Sequence, residues 1–260
     1  MSFIARFASF AFLALALVPA CSSKSSNKNE LTVFAAASLT DAFKAIVADF
    51  ETANPTTKTL LNFSGSQSLR TQIQNGAQPQ VFASANSKHM DVLQNQNLVE
   101  APVIFAQNKL VLVVPKGNPL GLKSIRDLEK VKRLVLAGSE VPAGAYADQV
   151  LARAGAAYGK NFSQTVNRHI VSRENHVRQT LQKVVLGEAD AAIVYATDAI
   201  ASKSEIVAIE IPDDINIVAS YPIAVVLGEK ASAGREFVRF LGSDRSAKIL
   251  RQYGFSVPAK

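Results

Sequence analysis

The stretch LTVFAAASLTDAFKAIVADFE, residues 31–51, holds two rhythms in one segment. Residues 31–36 form a short apolar run, the pattern of a buried strand. Residues 39–51 follow a 3.6-residue apolar period, the pattern of an amphipathic helix. Between them lies a small, neutral, hydroxyl-bearing junction ending in Ser38. Strand, small junction and helix make the unit of an α/β protein, and the rest of the chain repeats it.

TLLNF (59–63) reads as a strand and SLRTQIQN (68–75) as a helix, then VFAS (81–84) as a strand and HMDVLQNQ (89–96) as a helix. A second set follows. KLVLVVPK (109–116) is a strand, SIRDLEKV (124–131) a helix, RLVLAG (133–138) a strand, and AYADQVLARAG (145–155) a helix closed by glycine. RHIVS (168–172) is a strand, NHVRQTLQKVVLGE (175–188) a helix, and DAAIVYATDAIAS (190–202) a strand running into a helix. A strand at 221–228 and two helices, about 231–241 and 243–252, complete the pattern. The alternation predicts a largely parallel sheet. Its number of elements suits two lobes better than one. Ligands of open α/β sheets bind outside the carboxyl ends of the strands, so two facing lobes would make a cleft there.

Composition narrows the function. The chain has 260 residues, 48% hydrophobic and 19% charged, enough apolar surface for one large core or two modest ones. Aromatics are 7% and tryptophan is absent, which speaks against a sugar-stacking or base-stacking surface. The net charge is +7, but its 28 Lys and Arg are scattered without a basic run, so no nucleic-acid partner is expected.

The N-terminus reads as an export signal. Residues 1–6 carry one positive charge, residues 7–18 are apolar, and VPAC ends at Cys21. The apolar run is too short for a permanent membrane span. Residues 1–20 are read as a signal peptide. Cys21, the chain's one cysteine, sits where a bacterial lipobox places its lipidated residue, with Ala20 before it and Val18 three before; Pro19 departs from that pattern. Ordinary signal cleavage with a free thiol is the alternative. Polar residues 21–30 read as a flexible tether.

Five strand-to-helix junctions carry neutral hydrogen-bond donors. Ser38, with Asp41 three residues on, fits a capping box as well as a ligand site. Ser64, Ser66 and Ser68 surround Gly65 before a helix. In VPAG, Pro142 suits a first helical turn, leaving the small Ala143 and Gly144 with open N–H groups. Val177 stands near a helix start, and Tyr195 ends a strand. Each alone is also an ordinary cap, turn or core residue. Together they could surround a small dianion with oriented N–H and O–H groups and no cationic side chain.

TVFAAASLTDAF, VPAGAYA, IVYATDAIAS, YPIAVV and RQYGF occur in this order between residues 31 and 255. Together they resemble the molybdate-binding proteins of bacterial ABC importers. The resemblance implies a type II periplasmic-binding-protein fold, two α/β lobes with a hinge of two crossing strands. It puts lobe 1 at 29–108 plus 222–260 and lobe 2 at 109–221. It implies an oxyanion shell of Ser38, Ser66, the backbone amides of Ala143 and Val177, and Tyr195, with no protein atom bound to the metal itself. The implied ligand is molybdate, with tungstate expected to bind too. The implied partner is a membrane permease. The expected state is an exported monomer, lipid-anchored through Cys21 on the outer face of the cell membrane or in the periplasm, with no cofactor and no catalytic activity.

Two other readings stand beside it. A receptor of the same fold could carry another oxyanion, such as sulfate. A serine hydrolase would need Ser38 or Ser66 beside His89, His169 or His176, yet the chain has no GxSxG elbow. The three histidines also lack HExxH spacing for zinc.

Overall fold

The structure, a computed structural model, describes residues 29–259. Strands and helices alternate in it as β1 (Asn29–Ala36), α1 (Thr40–Ala53), β2 (Thr57–Ser64), α2 (Ser66–Gln74), β3 (Val81–Ala83), α3 (Ser87–Asn95) and β4 (Val103–Pro115). Then come β5 (Leu134–Ala137), α4 (Pro142–Tyr158), α5 (Lys160–His169), β6 (Ile170–Glu174), α6 (Val177–Val185), β7 (Ala191–Tyr195), α7 (Ala196–Ala201) and β8 (Ile206–Glu210). β9 (Val218–Val225), α8 (Ala231–Leu241) and α9 (Asp244–Gln252) close the chain. The signal peptide, Cys21 and most of the tether lie outside the described residues. Asn29 and Glu30, assigned to that tether, instead begin β1, where they pair with Thr57 and Lys58.

The sheet runs β2-β1-β3-β9-β4-β7-β5-β6, with β8 also paired to β4. It is mixed, not largely parallel. β1 is parallel to β2 and β3, and β5 to β6 and β7, as crossover helices require. β9 is antiparallel to β3 and β4, and β4 is antiparallel to β7 and β8. The two long strands cause the mixture. β4 pairs with β9 over Val103–Lys109, then with β7 over Leu110–Val113. One half of the sheet therefore holds β1, β2, β3 and β9. The other holds β5, β6, β7 and β8, and β4 runs through both.

The opening stretch folds as its two rhythms require. Ala42, Phe43, Ile46, Val47 and Phe50 form the buried stripe of α1. Burying each large side chain contributes about 1.5–3 kcal/mol. Phe43 and Phe50 meet Phe237 of α8, and Phe43 also meets Phe105 of β4.

β8 has no counterpart in the sequence reading, and three further segments differ from it. SIRDLEKV forms a short 3₁₀ helix, Ile125–Lys130, opened by a capping box between Ser124 and Asp127. Gly155 does not close α4. It lies inside the helix where α5 crosses, and a Cβ there would strike Ser163. The break falls at Gly159, whose φ of +99° suits glycine. α5 then takes up Arg168 and His169, so β6 starts two residues later than expected.

Candidate functional site

The carboxyl ends of β1, β2, β5, β6 and β7 open onto one cavity of about 210 Å³, including its mouth. Ser38, Ser66, Ala143, Val177 and Tyr195 all line it. Ser64, Gly65, Ala85 and His176 are among the other lining residues, and none of the lining residues is Lys, Arg, Asp or Glu.

Ser38 is buried in a 3₁₀ turn, Ala37–Leu39, between β1 and α1. This extra turn moves the start of α1 onward, so Leu39 is its N-cap and Ser38 makes no capping box. Its Oγ instead shares a 3.0 Å hydrogen bond with the Tyr221 hydroxyl. Asp41, the expected partner in that box, turns to Arg178 at 2.6 Å.

Ser66 is the first residue of α2, and its Oγ accepts the Ala85 N–H at 3.0 Å. With that acceptor site used, the Ser66 hydroxyl proton is left to point elsewhere. Gly65 before it is a point of contact between the two halves. A Cβ there would come within 2.6 Å of the Asn175 carbonyl oxygen. Gln67 Nε2 donates to that same oxygen at 2.9 Å.

Pro142 and Ala143 are the first two residues of α4, and Val177 is the first of α6. N–H groups in a first helical turn have no acceptor within their own helix. Both helix ends therefore aim N–H groups and the positive end of a helix dipole at the cavity. Gly144 lets α4 begin tightly against β5, since a Cβ would collide with the carbonyls of Ala137 and Gly138. His176 caps α6, its Nδ1 accepting the Gln179 N–H at 3.3 Å. The Val177 side chain belongs to the core cluster.

Tyr195 ends β7 and is 1% exposed. Its hydroxyl makes no well-formed hydrogen bond, although Tyr221 is adjacent with ring centroids 5.7 Å apart. Burial pushes its phenol pKa well above the ordinary value, so it serves only as a neutral O–H. A buried hydroxyl without a good partner costs about 1–3 kcal/mol, so this O–H is available to donate to an acceptor in the cavity.

Next in sequence to Val177 begins a charge cluster that the sequence did not reveal. Arg178 lies between Asp41 of the first half and Asp198 of the second, with Nε 2.5 Å from Asp198 Oδ1. Burial pushes Asp198 up to about pH 6 against the pull of Arg178. Burial also works against the Arg178 charge, but the two aspartates outweigh it and its pKa rises. A third contact between the halves joins α3 to the loop before α4. His89 Nε2 donates to the Glu140 carbonyl at 2.8 Å, and Lys88 pairs with the Glu140 carboxylate at 3.1 Å. Burial depresses the His89 pKa, so the ring is neutral there.

The arrangement suits holding an anion more readily than cleaving a bond. The serine hydroxyls bond to Tyr221 and to the Ala85 N–H, and His89 and His176 are engaged with backbone groups. Among the described residues, no cluster of three His, Cys, Asp or Glu could hold a metal ion.

Comparison with known proteins agrees with this architecture. The family model described as bacterial extracellular solute-binding protein matches residues 31–256. The molybdate-binding protein ModA of Mycobacterium tuberculosis (strain ATCC 25618 / H37Rv) is 33% identical over 231 residues, 88% of this chain and 85% of that relative. Among solved structures, the periplasmic molybdate-binding protein of Azotobacter vinelandii has a TM-score of 0.75 at 21% identity, covering 88% of this chain and all of its own. The sulfate-binding protein SubI of Mycobacterium tuberculosis H37Rv has a TM-score of 0.78 at 17% identity, with 88% and 87% covered. At those identities the two structures speak for the fold. Given the match over nearly the whole described length, the chain belongs to the bacterial extracellular solute-binding proteins, in one family with the molybdate-binding relative.

Proposed function

We propose that this protein captures molybdate outside the cytoplasm and delivers it to the permease of an ABC importer, and that it also takes tungstate. The observation that carries the reading is the cavity itself. Two serines, two helix N-termini and the unpartnered, buried Tyr195 hydroxyl surround a space with no charged side chain on its wall. The name of the 33%-identical relative supports molybdate as the anion.

Molybdate is fully ionised at neutral pH, so a wall of donors satisfies its oxygens. Monohydrogen phosphate brings a proton needing an acceptor, and leaving it unpaired costs about 1–3 kcal/mol. Sulfate also lacks a proton, so it must be refused by size. Metal–oxygen bonds are longer than sulfur–oxygen bonds, and tungstate matches molybdate closely. Ser38, Ser66, Ala143, Val177 and Tyr195 are the proposed oxyanion ligands. The lobes, residues 29–108 with 222–260 and residues 109–221, would close on the anion about β4 and β9. The protein would act as a monomer, held at the membrane by lipid on Cys21.

Calorimetric titration with molybdate, tungstate, sulfate and phosphate tests the ligand. Molybdate and tungstate should bind tightly, sulfate less so, and phosphate least. Sulfate binding above molybdate, or no heat with any of the four, would refute the assignment. Mass spectrometry of membrane fractions tests the anchor, and an unmodified mature N-terminus would remove it.

A further inference from the structure

We propose that Tyr221 is a positioning residue that holds Ser38 as a hydrogen-bond donor, and that this is how the site refuses protonated oxyanions. The inference rests on the reading of the cavity as an oxyanion site and assigns part of its selectivity to a residue outside its wall.

A chain of hydrogen bonds with a fixed direction leads to Ser38. Its fixed end is the backbone N–H of Lys109, which can only donate, and it reaches Asn108 Oδ1 at 3.0 Å. That contact sets the orientation of the Asn108 amide, so Nδ2 lies on the other side. Nδ2 donates to Thr197 Oγ1 at 2.9 Å and to the Tyr221 oxygen at 3.5 Å. The Tyr221 oxygen then stands 3.0 Å from Ser38 Oγ.

The geometry of that last bond allows either direction, but proton placement favours one. If Ser38 donated, the Tyr221 oxygen would accept from both Ser38 and Asn108, and its own buried proton would have only the poorly aligned Tyr195 hydroxyl to turn to. A buried proton so placed is disfavoured against one that meets Ser38 Oγ at 3.0 Å. If Tyr221 donates, its proton meets Ser38 Oγ, and the Ser38 proton is directed toward the cavity that Ser38 lines. Burial pushes the Tyr221 phenol pKa well up, so its proton stays in place across the working pH range.

The Tyr221 ring is held independently of this chain. It packs edge-on against Phe105, Phe255 and Tyr195. Removing only its hydroxyl therefore leaves the packing and changes what Ser38 can do. Without Tyr221 as donor, Ser38 Oγ regains a free acceptor site and can receive the proton of monohydrogen phosphate.

The test is competition calorimetry on the full chain, using molybdate and inorganic phosphate at pH 8, with wild type, Tyr221→Phe and Phe255→Leu. The quantity read is the ratio of the two affinities. Tyr221→Phe should lower the molybdate-over-phosphate ratio about fivefold or more, the equivalent of about 1 kcal/mol. Phe255→Leu, which disturbs the ring packing alone, should leave the ratio near wild type. An unchanged ratio in Tyr221→Phe overturns the proposal even if both anions bind more weakly. So does an equal shift in Phe255→Leu. Should Tyr221→Phe fail to fold, Asn108→Asp carries the same test: its carboxylate accepts from Tyr221, Ser38 is released, and the ratio should fall. Failure of the wild type to bind molybdate at all would instead strike the underlying reading of the cavity.

Discussion

Replacing Tyr195 by Phe should move stability and binding in opposite directions. The Tyr195 hydroxyl is buried and lacks a well-formed hydrogen bond. Its removal relieves a desolvation cost and leaves the ring in place. The ligand-free variant should therefore be as stable as wild type or up to about 1 kcal/mol more stable. For a domain of this size that is a rise in Tm of up to about 2–4 °C. With the dianion bound, the same hydroxyl becomes a charge-assisted donor, worth about 1.5–3 kcal/mol. Molybdate affinity should fall about 10-fold to 150-fold. At one saturating molybdate concentration the variant should then unfold at a lower temperature than wild type, because ligand stabilisation scales with the logarithm of affinity. Scanning calorimetry with and without molybdate, joined to titration, reads both effects. A variant that is destabilised by about 2 kcal/mol without ligand yet binds molybdate as wild type does would show the hydroxyl to be structural and refute the reasoning.

Three further perturbations probe the cleft. Gly65→Ala places a Cβ against the Asn175 carbonyl across the halves, so it should wedge them apart and weaken molybdate binding about tenfold or more, while ligand-free stability stays within about 1 kcal/mol; unaltered affinity would mean the halves need not meet there. Asp41→Asn breaks the only partly exposed ion pair to Arg178, and molybdate release followed by stopped flow should quicken by up to about fivefold; slower release would contradict a latch. His89 has a folded pKa below its ordinary 6.5, because burial disfavours the charged ring. The unfolded chain then binds the extra proton, so stability should fall as pH drops through 6.5. Denaturant melts of wild type and His89→Gln should diverge in that direction below pH 6.5, the Asp198 contribution cancelling in the comparison; parallel curves would show that His89 does not report folding.

Much of this was legible because the two periodicities are clean. LTVFAAASLTDAFKAIVADFE told strand from helix, and each of the five donor positions stands at a strand end where an α/β sheet opens. What stayed hidden is tertiary. The capping box at Ser38 was chemically reasonable, but a 3₁₀ turn shifted the helix start and gave the serine to Tyr221. YPIAVV was visible as a motif, yet nothing in its pattern announces that Tyr221 meets Ser38, 183 positions away. The mixed sheet was missed because β9 returns without a crossover helix. α5 was missed because its sequence is mostly polar, with Phe162 and Val166 as its buried pair.

The cavity wall carries no Lys, Arg, Asp or Glu although Arg178 immediately follows Val177. A guanidinium left free there would turn toward any bound dianion, and formally charged contacts would make sulfate, phosphate and molybdate hard to tell apart. The fold prevents this by giving Arg178 two carboxylates of its own. Asp198 holds Nε from within the second half, and Asp41 reaches Nη2 from the first. The Asp41 contact joins the halves. If the lobes close on the anion as proposed, closure would occupy the guanidinium as it assembles the donors, and selectivity would be coupled to it. On the proposed reading a bound anion would meet only dipoles, whose direction can tell a bare oxygen from a hydroxyl, whereas a point charge cannot.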